Sequence, residues 1–371
     1  MDLFYRNARL PKDDKTLRAV NAAASRLFLK LNNLDINQLE VSDYIKVYLG
    51  NHIQSLKNSL MKFTYILSWA VTNRDIPLNQ FVLVDYGGGS GILSLLAKEY
   101  GIGTVIYTDI YDVSCKDAEK IGRAINNPAD YYVPGDIDEL LSYIKIQQIT
   151  CHALASYDVI EHIYDIETYL KKLSKISDKD FVVVMGSGAN PLNPLVARSL
   201  MKQHKLIEYL NREDKPGHKQ RDILKAYYDV RREIISKYAP KLSPDEVERL
   251  TKATRGLIAQ DIKHCVDVYL ESGKICRQPD HPTNTCDPHT GNWAEHLMNI
   301  EILRQVLINE DFIVKILAGY YEGGSPVKRI VACWLNLLIF LLGDQIGLWF
   351  APFYTIYASK VESLGEDRLY Y

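Results

Sequence analysis

A cluster of glycines follows an apolar run early in the chain. The run at 82–84 ends in Asp85, and the glycines come directly after it, at Gly87, Gly88, Gly89 and Gly91. Glycine lets a backbone approach a ligand closely and adopt positive φ angles, and a helix that follows presents N–H groups to the ligand. The order of strand, glycine-rich turn and helix is typical of a site that binds a nucleotide or a related cofactor.

The spacing of these glycines separates two classes of cofactor. A dinucleotide-binding loop reads G-x-G-x-x-G, which requires a small residue where this chain has Ile92. The observed pattern, Asp85-x-Gly87-x-Gly89-x-Gly91, resembles the first motif of the class I S-adenosylmethionine-dependent methyltransferases. A nicotinamide-dependent oxidoreductase and a non-catalytic protein that binds S-adenosylmethionine or a nucleotide remain the alternatives.

Acidic residues end or follow three further apolar runs. Asp109 lies about 20 residues beyond the glycines, where an acid can accept hydrogen bonds from ribose hydroxyls. The resemblance places Asp136 beside the adenine, and the string 158–162, Asp-Val-Ile-Glu-His, is similar to the D-V-L-E-H of many small-molecule methyltransferases. The implied S-adenosylmethionine site is Asp85, Gly87, Gly88, Gly89, Gly91, Asp109, Ile110, Asp136, Ile137 and Asp158.

Alternating apolar runs and helical patterns predict an α/β fold. Five runs between 81 and 190 indicate a parallel sheet that binds its ligand at the carboxyl ends of the strands. The resemblance implies a Rossmann-like seven-stranded class I methyltransferase sheet in the order 3-2-1-4-5-7-6, with the last strand antiparallel. Strands six and seven are predicted at 311–317 and 351–359.

The same patterns divide the chain into four parts. They are an N-terminal helical layer (1–80), the cofactor-binding half of the sheet domain (81–190), a helical insertion (191–295) and a C-terminal completion of the sheet (296–371). Helices are predicted at 42–71, 221–237, 244–254, 257–270 and 296–308, the third of them capped by Ser243 with Pro244 and Glu246. The insertion is predicted to form the substrate pocket; a structural or dimer-forming addition is the alternative.

His162 is the candidate catalytic residue. A histidine can take a proton near neutral pH, and methyl transfer needs a base when the acceptor is a hydroxyl. The alternative is that His162 only orients its loop. Asp158, Glu161 and His162 also resemble the ligands of some metal-assisted O-methyltransferases, and Cys276, His281, Cys286, His289 and His296 cluster in the insertion. The first set has an Asp where those enzymes have Glu, and the second fits no standard zinc spacing, so no metal is predicted.

Two segments are candidates for binding the methyl acceptor. Asn190 and Asn193 follow the fifth strand in a loop rich in Gly, Asn and Pro. His289 and Trp293 lie in a segment that resembles the D-P-x-T-G-H-W of methyltransferases encoded with glycan biosynthesis genes, although Asn292 stands where those proteins have His. A small molecule or glycan hydroxyl is therefore the expected acceptor; a purely structural turn is the alternative for the second segment.

Composition and charge limit the remaining partners. The net charge of −2 gives no general attraction for nucleic acid, so no nucleic-acid partner is expected. Six cysteines without a C-x-x-C pair and an N-terminus without a long apolar core suit free thiols and a cytoplasmic protein. The apolar segment 330–342 is too short to span a bilayer; it predicts a buried helix before strand seven, with peripheral membrane contact as the alternative.

Overall fold

The computed structural model describes residues 3, 7–72, 76–219, 221–275, 277, 279, 281–323 and 326–360. The chain divides into two compact units. The first unit comprises Met1–Ile160, Ile166–Gly188 and Asn299–Tyr371, and the second comprises Glu161–Asp165 and Ala189–Met298.

The first unit contains one seven-stranded sheet. Its strands are β1 (Val82–Tyr86), β2 (Thr104–Asp109), β3 (Tyr131–Pro134), β4 (Ala153–Tyr157), β5 (Phe181–Ser187), β6 (Ile313–Ala318) and β7 (Tyr354–Lys360). Their order is β3-β2-β1-β4-β5-β7-β6; the first five pair in parallel, and β7 is antiparallel to β5 and β6. This is the class I methyltransferase fold, so the predicted fold is confirmed.

Helices connect the strands and make up the second unit. In chain order they are α1 (Asp14–Asn32), α2 (Asp43–Gln54), α3 (Leu56–Val71), α4 (Ile92–Tyr100), α5 (Asp112–Ala124), α6 (Ile137–Gln147), α7 (Ile166–Leu173), α8 (Pro194–Tyr209), α9 (Tyr227–Tyr238), α10 (Pro244–Ala253), α11 (Ala259–Ser272), α12 (Ile300–Asn309) and α13 (Pro326–Gly347). Helices α8 to α11 belong to the second unit and the others to the first.

One core cluster of the first unit lies on the face of the sheet that α1, α3 and α4 cover. Leu27, Leu60, Leu83 and Leu96 belong to one buried cluster. Every residue of β1 and β5 is buried, since helices cover both faces of a parallel sheet. This is why these strands read as continuous apolar runs.

The predicted helix at 42–71 is wrong in one respect, because it is two helices. The backbone leaves the helical region at Ser55, with φ −122° and ψ 37°. The Ser55 hydroxyl donates to the Asn51 carbonyl at 3.2 Å, a local bond that competes with the helical ladder. The break makes α2 a helix separate from α3.

Two predicted helix starts are also wrong. Helix α9 begins at Tyr227 and not at 221, because the preceding backbone pairs elsewhere: Arg212 N donates to the Leu224 carbonyl at 2.7 Å. Helix α12 begins after Asn299, whose side chain accepts from Glu301 N at 3.0 Å. The predicted start at 296 fails since the preceding residues bond within the second unit, as in the 3.0 Å bond from His296 N to the Glu161 carbonyl.

The second unit has its own small core. Ile235, Leu250, Ile262 and Val266 form a buried cluster between α9, α10 and α11. The capping prediction for α10 is confirmed: Ser243 and Glu246 form a reciprocal capping box, with Pro244 in the first turn.

The predicted short buried helix at 330–342 is wrong. Helix α13 runs from 326 to 347 with a break at Gly343, and Trp334 and Leu341 are 70% and 72% exposed. Among the described residues, Val327–Gly347 is the one helix long and apolar enough to cross a membrane on length and composition, and only 22% of its most apolar window is buried. The prediction failed because apolar composition does not reveal how much of a helix its own domain covers.

Candidate functional site

The glycine loop has the backbone conformation that its sequence predicts. The φ angles of Gly87, Gly89 and Gly91 are +69°, +54° and +77°, a region that residues with side chains rarely adopt. Gly88 is required for space instead: a Cβ atom there would lie 2.4 Å from the Tyr107 ring. The loop therefore places backbone without side chains at the carboxyl end of β1, where Gly87 and Gly88 are half-buried.

Asp85 joins this loop to the start of α4. Its side chain is 2% exposed, and Oδ2 accepts from Ser94 N at 2.9 Å and from Ser94 Oγ at 2.7 Å. Burial, and to a lesser degree the Asp109 carboxylate, raises the pKa of Asp85 to about 7, although the bonds from Ser94 act in the opposite direction. Asp85 thus exchanges its proton near neutral pH.

The raised pKa of Asp85 predicts a pH-dependent stability. In the unfolded chain, an aspartate titrates near pH 4. Between about pH 4 and 7, Asp85 is therefore protonated more in the folded chain than in the unfolded chain, so the folded chain binds more protons. The free energy of unfolding therefore falls as the pH rises from 5 to 8, and this group accounts for roughly 2 to 3 kcal/mol of that fall. Asp85→Asn, which keeps an acceptor for Ser94, should remove this part of the slope in chemical denaturation at each pH.

Asp112→Asn is the matched control for that measurement. Hydrogen bonding to Lys116 lowers the pKa of Asp112, so its titration is complete below pH 5. The control should keep the wild-type slope between pH 5 and 8. Equal slopes for wild type and Asp85→Asn would contradict the prediction.

Asp109 holds the glycine loop from the end of β2. Its Oδ2 accepts from Gly89 N at 3.1 Å and its Oδ1 accepts from Tyr111 N at 2.8 Å. A carboxylate offers about four acceptor positions, so two bonds leave capacity for ribose hydroxyls. Ile110, directly after it, is 59% exposed, which leaves an apolar surface beside the acid.

Asp136 lies at the same edge of the sheet. Asp109 pairs in register with Pro134, and Gly135 N donates to the Asp109 carbonyl at 3.0 Å. Asp136 caps α6, with Oδ1 accepting from Asp138 N at 2.7 Å. Ile137 begins that helix and is buried.

Asp158 links the ends of β4 and β5. It has a positive φ of +53°, and its Oδ1 accepts from Gly188 N at 3.0 Å. The next side chain, Val159, packs directly on Gly87: a Cβ atom added to Gly87 would lie only 2.6 Å from Val159 Cγ2. A strained residue at the carboxyl edge is typical of a functional site.

The first unit therefore brings most of the predicted cofactor residues together. Asp109 bonds the glycine loop at Gly89, and Val159, next to Asp158, packs on Gly87. Asp85 bonds Ser94 in the first turn of α4, directly after the loop. Asp136 lies two residues beyond the strand position that pairs with Asp109. Their contact with a cofactor stays a prediction.

Two tyrosines of α2 beside this loop were missed by the sequence reasoning. The Tyr48 ring is 3.0 Å from where a Cβ atom on Gly89 would lie. Tyr44 stacks on Tyr48 with ring centroids 5.8 Å apart and meets Tyr111 edge-on at 5.7 Å. The available signal was the spacing of four between Tyr44 and Tyr48, which puts both rings on one helix face.

A hydrogen-bonded start fixes α2 in this position. The backbone N and the hydroxyl of Ser42 both donate to Asp117 Oδ2 on α5, at 3.0 Å and 2.5 Å. One turn beyond Tyr48, the His52 ring lies 4.9 Å from the Tyr48 ring. Burial, followed by the nearby Lys62 ammonium, lowers the pKa of His52 to about 4, so the His52 ring is uncharged at neutral pH.

His162 belongs to the second unit. Its Nδ1 lies 2.8 Å from the Trp293 carbonyl, and since a carbonyl only accepts, Nδ1 carries the proton of the neutral ring. Nε2 is then the basic nitrogen, and it lies 3.8 Å from Glu295 Oε1. The His162 side chain is 36% exposed.

Trp293 and His289 have different surroundings. The Trp293 indole is 8% exposed, stacks on His296 at 4.1 Å, and donates from Nε1 to the Tyr164 carbonyl at 3.1 Å. His289 is exposed and lines a cavity of about 450 Å³ formed by α9 and α11, whose charged lining residues are Glu233, Lys237 and Lys263. The Trp293 ring thus supports its loop, whereas His289 can meet a molecule from solution.

The two predicted asparagines are buried and have local structural roles. Asn190 is fully buried, and its Oδ1 accepts from Leu192 N at 3.1 Å. Asn193 is the N-cap of α8, with Oδ1 accepting from Leu195 N at 3.0 Å. Contact of Asn190, Asn193, His289 and Trp293 with an acceptor stays a prediction.

Within the part of the chain that the structure describes, no group of three or more His, Cys, Asp and Glu side chains is arranged to hold a metal ion. Cys115, Cys151, Cys265 and Cys286 are buried free thiols and Cys333 is an exposed one, while Cys276 lies outside the described residues.

Comparison with known proteins finds similarity in structure only. No protein-family model matches the sequence, and no curated protein matches it. Among solved structures, PKMT2 from Rickettsia typhi in complex with AdoHcy is 13% identical, with a TM-score of 0.37, and the alignment covers 83% of this chain and 55% of that one. This chain therefore spans about half the length of that protein.

Two further solved structures are similar over most of their own length. An S-adenosylmethionine-dependent methyltransferase from Mesorhizobium loti is 13% identical over 76% of this chain and 93% of that chain, with a TM-score of 0.35. A SAM-dependent methyltransferase from Archaeoglobus fulgidus is 16% identical over 79% and 93%, with a TM-score of 0.34. At these low TM-scores, the fold is assigned from the strand order and register described above.

Proposed function

We propose that the chain is an S-adenosylmethionine-dependent methyltransferase that methylates a hydroxyl of a small molecule or a glycan. The observation that supports this most directly is the glycine loop at the carboxyl edge of the sheet, where Asp109 accepts from Gly89 N and Asp85 accepts from Ser94 just after the loop. S-adenosylmethionine, when bound, supplies an activated methyl group. The chain's own residues must bind it, orient it and exclude water.

The start of α4 favours this cofactor over a dinucleotide. A dinucleotide places its pyrophosphate at the helix N-terminus, where backbone N–H groups are free. Here the buried carboxyl of Asp85 already accepts from Ser94 N at that point, and Ile92, fully buried, stands where the third glycine would be. A buried acid disfavours a diphosphate but not a cofactor that carries a sulfonium cation.

The described residues suit distinct parts of the cofactor. The glycine loop would wrap the methionine end, and Asp109 would accept from the ribose hydroxyls with its remaining lone pairs. Exposed Ile110 would cover the adenine, with Asp136 on its polar side. Tyr48, packed on Gly89, would shield the loop from water.

His162 is the proposed proton acceptor. A hydroxyl acceptor must lose its proton on methylation, and Nε2 of His162 is the nitrogen left basic by the bond from Nδ1 to the Trp293 carbonyl. Glu295, 3.8 Å from Nε2, would stabilise the imidazolium that forms.

Calorimetric titration of the full chain tests the cofactor. We expect S-adenosylmethionine and S-adenosylhomocysteine to bind, and NADH and NADPH to give no heat under the same conditions. Binding of NADH in place of the sulfonium nucleoside would overturn the proposal, as would the absence of binding by all four, measured on protein freed of carried-over ligand by unfolding and refolding.

Release of S-adenosylhomocysteine with a panel of acceptors tests the reaction. Sugars, phenols, amines and carbon acids represent the four kinds of nucleophile, and turnover is expected with a hydroxyl compound. Turnover only with amines or carbon acids would contradict O-methylation, but it would still support a methyltransferase. Tight cofactor binding without turnover on any acceptor would favour a non-catalytic binding protein.

A further inference from the structure

Helix α13 presents a broad apolar surface to solvent. Val327, Trp334 and Leu341 are 71%, 70% and 72% exposed, and they recur at intervals of seven, so they lie on one side of the helix. Ile330 and Val331 extend the same surface on either side, at 62% and 52% exposed. Monomeric soluble proteins rarely leave a contiguous patch of this kind without a partner.

Only a narrow stripe of α13 packs on its own unit. Before the break at Gly343, the buried positions are Ala332, Asn336 and Ile339, and at about 100° per residue they cover well under a quarter of the circumference. The side-chain amide of Asn336 bonds to the backbone of Tyr321: Oδ1 accepts from Tyr321 N at 2.7 Å, and Nδ2 donates to the Tyr321 carbonyl at 3.0 Å. Residues 330–342 include no charged side chain, so the exposed part is apolar around most of the helix.

The helix is bonded to the first unit from its middle to its end, at Asn336 and Asp344. The segment that precedes α13 lies alongside the helix. Tyr321 N bonds to Asn336 in the middle of the helix, and Ala318 N donates to Asp344 Oδ1, near its end, at 3.1 Å. Ala318 also pairs with Tyr354, so the chain enters and leaves this region at one edge of the sheet. A helix that crosses a bilayer separates its ends by about 30 Å of hydrocarbon. Helix α13 can therefore meet a membrane only sideways.

The charges of α13 lie where lipid headgroups would be. Lys328 and Arg329 are exposed in its first turn, where cations oppose the helix dipole and do not stabilise the helix. Long cationic side chains at the margin of an apolar face reach anionic headgroups. Asp344, the only acid of α13, is paired with Arg9 at 3.3 Å, and the Arg9 guanidinium stacks on Phe340 at 4.8 Å. Within α13, the single acid is thus paired, and Lys328 and Arg329 place two cationic side chains beside the apolar surface.

We propose that α13 docks this chain on the surface of a bilayer that contains anionic phospholipids, with its exposed apolar side chains at the boundary between headgroups and acyl chains. Trp334 and Trp349, 70% and 56% exposed, are side chains of the type that concentrates at this depth. A coiled-coil contact with a second copy would need only a narrow seam with charges beside it. The face of α13 is broad and carries no charge between residues 330 and 342.

Sedimentation with vesicles tests the docking on the full chain. The vesicles are phosphatidylcholine alone and an equal mixture of phosphatidylcholine and phosphatidylglycerol. Wild type should bind the mixture more tightly than phosphatidylcholine alone, and Leu341→Lys should lower the partition coefficient on the mixture at least about tenfold. Lys328→Gln with Arg329→Gln should remove the preference for phosphatidylglycerol. Vesicle binding needs no cofactor, so these results are independent of the proposed methyl transfer.

Ile146→Lys is the matched control, because Ile146 on α6 is 75% exposed and lies in the same unit. It adds the same charge at an equally open apolar position and should bind vesicles as wild type does. Quenching of tryptophan fluorescence by brominated lipid should be strong for wild type and reduced in Trp334→Phe. The proposal is overturned if wild type stays in the supernatant with both vesicles, or if Leu341→Lys and Ile146→Lys bind alike. It is also overturned if Leu341→Lys only converts a dimer into a monomer in sedimentation velocity.

Discussion

Substitution of Gly88 by alanine is expected to weaken S-adenosylmethionine binding about 100-fold and to lower the free energy of unfolding by about 1 to 3 kcal/mol. The added Cβ atom would lie 2.4 Å from Tyr107 Cε2 and 2.9 Å from Asp85 Oδ2, closer than real atoms approach. The loop must shift to relieve this contact. A displacement of even 1 Å in a positioning element can cost a factor of about 100.

The Tyr107 ring cannot move aside instead. It is fully buried, lies 5.5 Å from the Tyr132 ring, and its hydroxyl donates to the Gly89 carbonyl at 2.7 Å. Any motion of Tyr107 therefore pulls on the same loop. The clash and the hydrogen bond act on adjacent residues, so strain at Gly88 reaches the backbone that would contact the cofactor.

Calorimetric titration and chemical denaturation of the same preparations separate binding from folding. Gly50→Ala is the control, because Gly50 lies in α2 with open space around its Cα and adds the same atom. It should retain cofactor affinity and gain about 0.5 to 1 kcal/mol from better helix propensity. Wild-type affinity in Gly88→Ala would show that this loop is not the binding element.

The parts of the fold that follow from local pattern were predictable from the sequence. Buried strands read as apolar runs that end in acids, and the positive φ angles of Gly87, Gly89 and Gly91 follow from their glycine spacing. Ser243 with Glu246 is a local capping signal, and the capping box is present. The strand order was inferred through the family resemblance, since pairing between distant strands leaves no periodic trace.

Features set by distant contacts were not predictable in the same way. Tyr48 reaches Gly89 only because α2 separates from α3 at Ser55 and is bonded to Asp117 through Ser42. The burial of Trp293 could not be read from its polar loop: its side chain is 8% exposed and stacks on His296. The exposure of α13 could not be predicted from its composition, because a buried helix and a helix that its unit leaves uncovered can have the same apolar composition.

A buried ion pair in the second unit also left no sequence signal. The carboxylate of Glu208 on α8 accepts from Arg231 on α9 at 2.5 Å and 3.2 Å, and the two side chains are 2% and 0% exposed. Thr285 Oγ1 donates to Glu208 Oε2 at 2.7 Å, and Arg231 Nε donates to the Thr251 carbonyl at 3.3 Å. Helices α8 and α9 and the loop at 285 thus meet at one carboxylate.

Removing this carboxylate is expected to have the largest effect on stability. Glu208→Ala leaves the Arg231 guanidinium buried without its counter-ion, and breaking a buried pair from one side typically costs about 3 to 5 kcal/mol. The expected result is a loss of this size in the free energy of unfolding of the second unit. Urea denaturation followed by circular dichroism measures it, together with Trp293 fluorescence as a probe within that unit.

Two further variants decide whether charge burial is the cause. Arg232→Ala removes the neighbouring arginine, whose pair with Asp229 is exposed, and should change stability little. Glu208→Leu with Arg231→Met replaces both members of the pair by apolar groups of similar size and should recover part of the loss, because the fully buried guanidinium is removed. Recovery is not complete, since Arg255 Nε lies 3.6 Å from Glu208 Oε1 and also loses this carboxylate. If the double variant were as unstable as Glu208→Ala, the loss would come from packing or from the bonds to Thr285 and Thr251, and not from the isolated guanidinium.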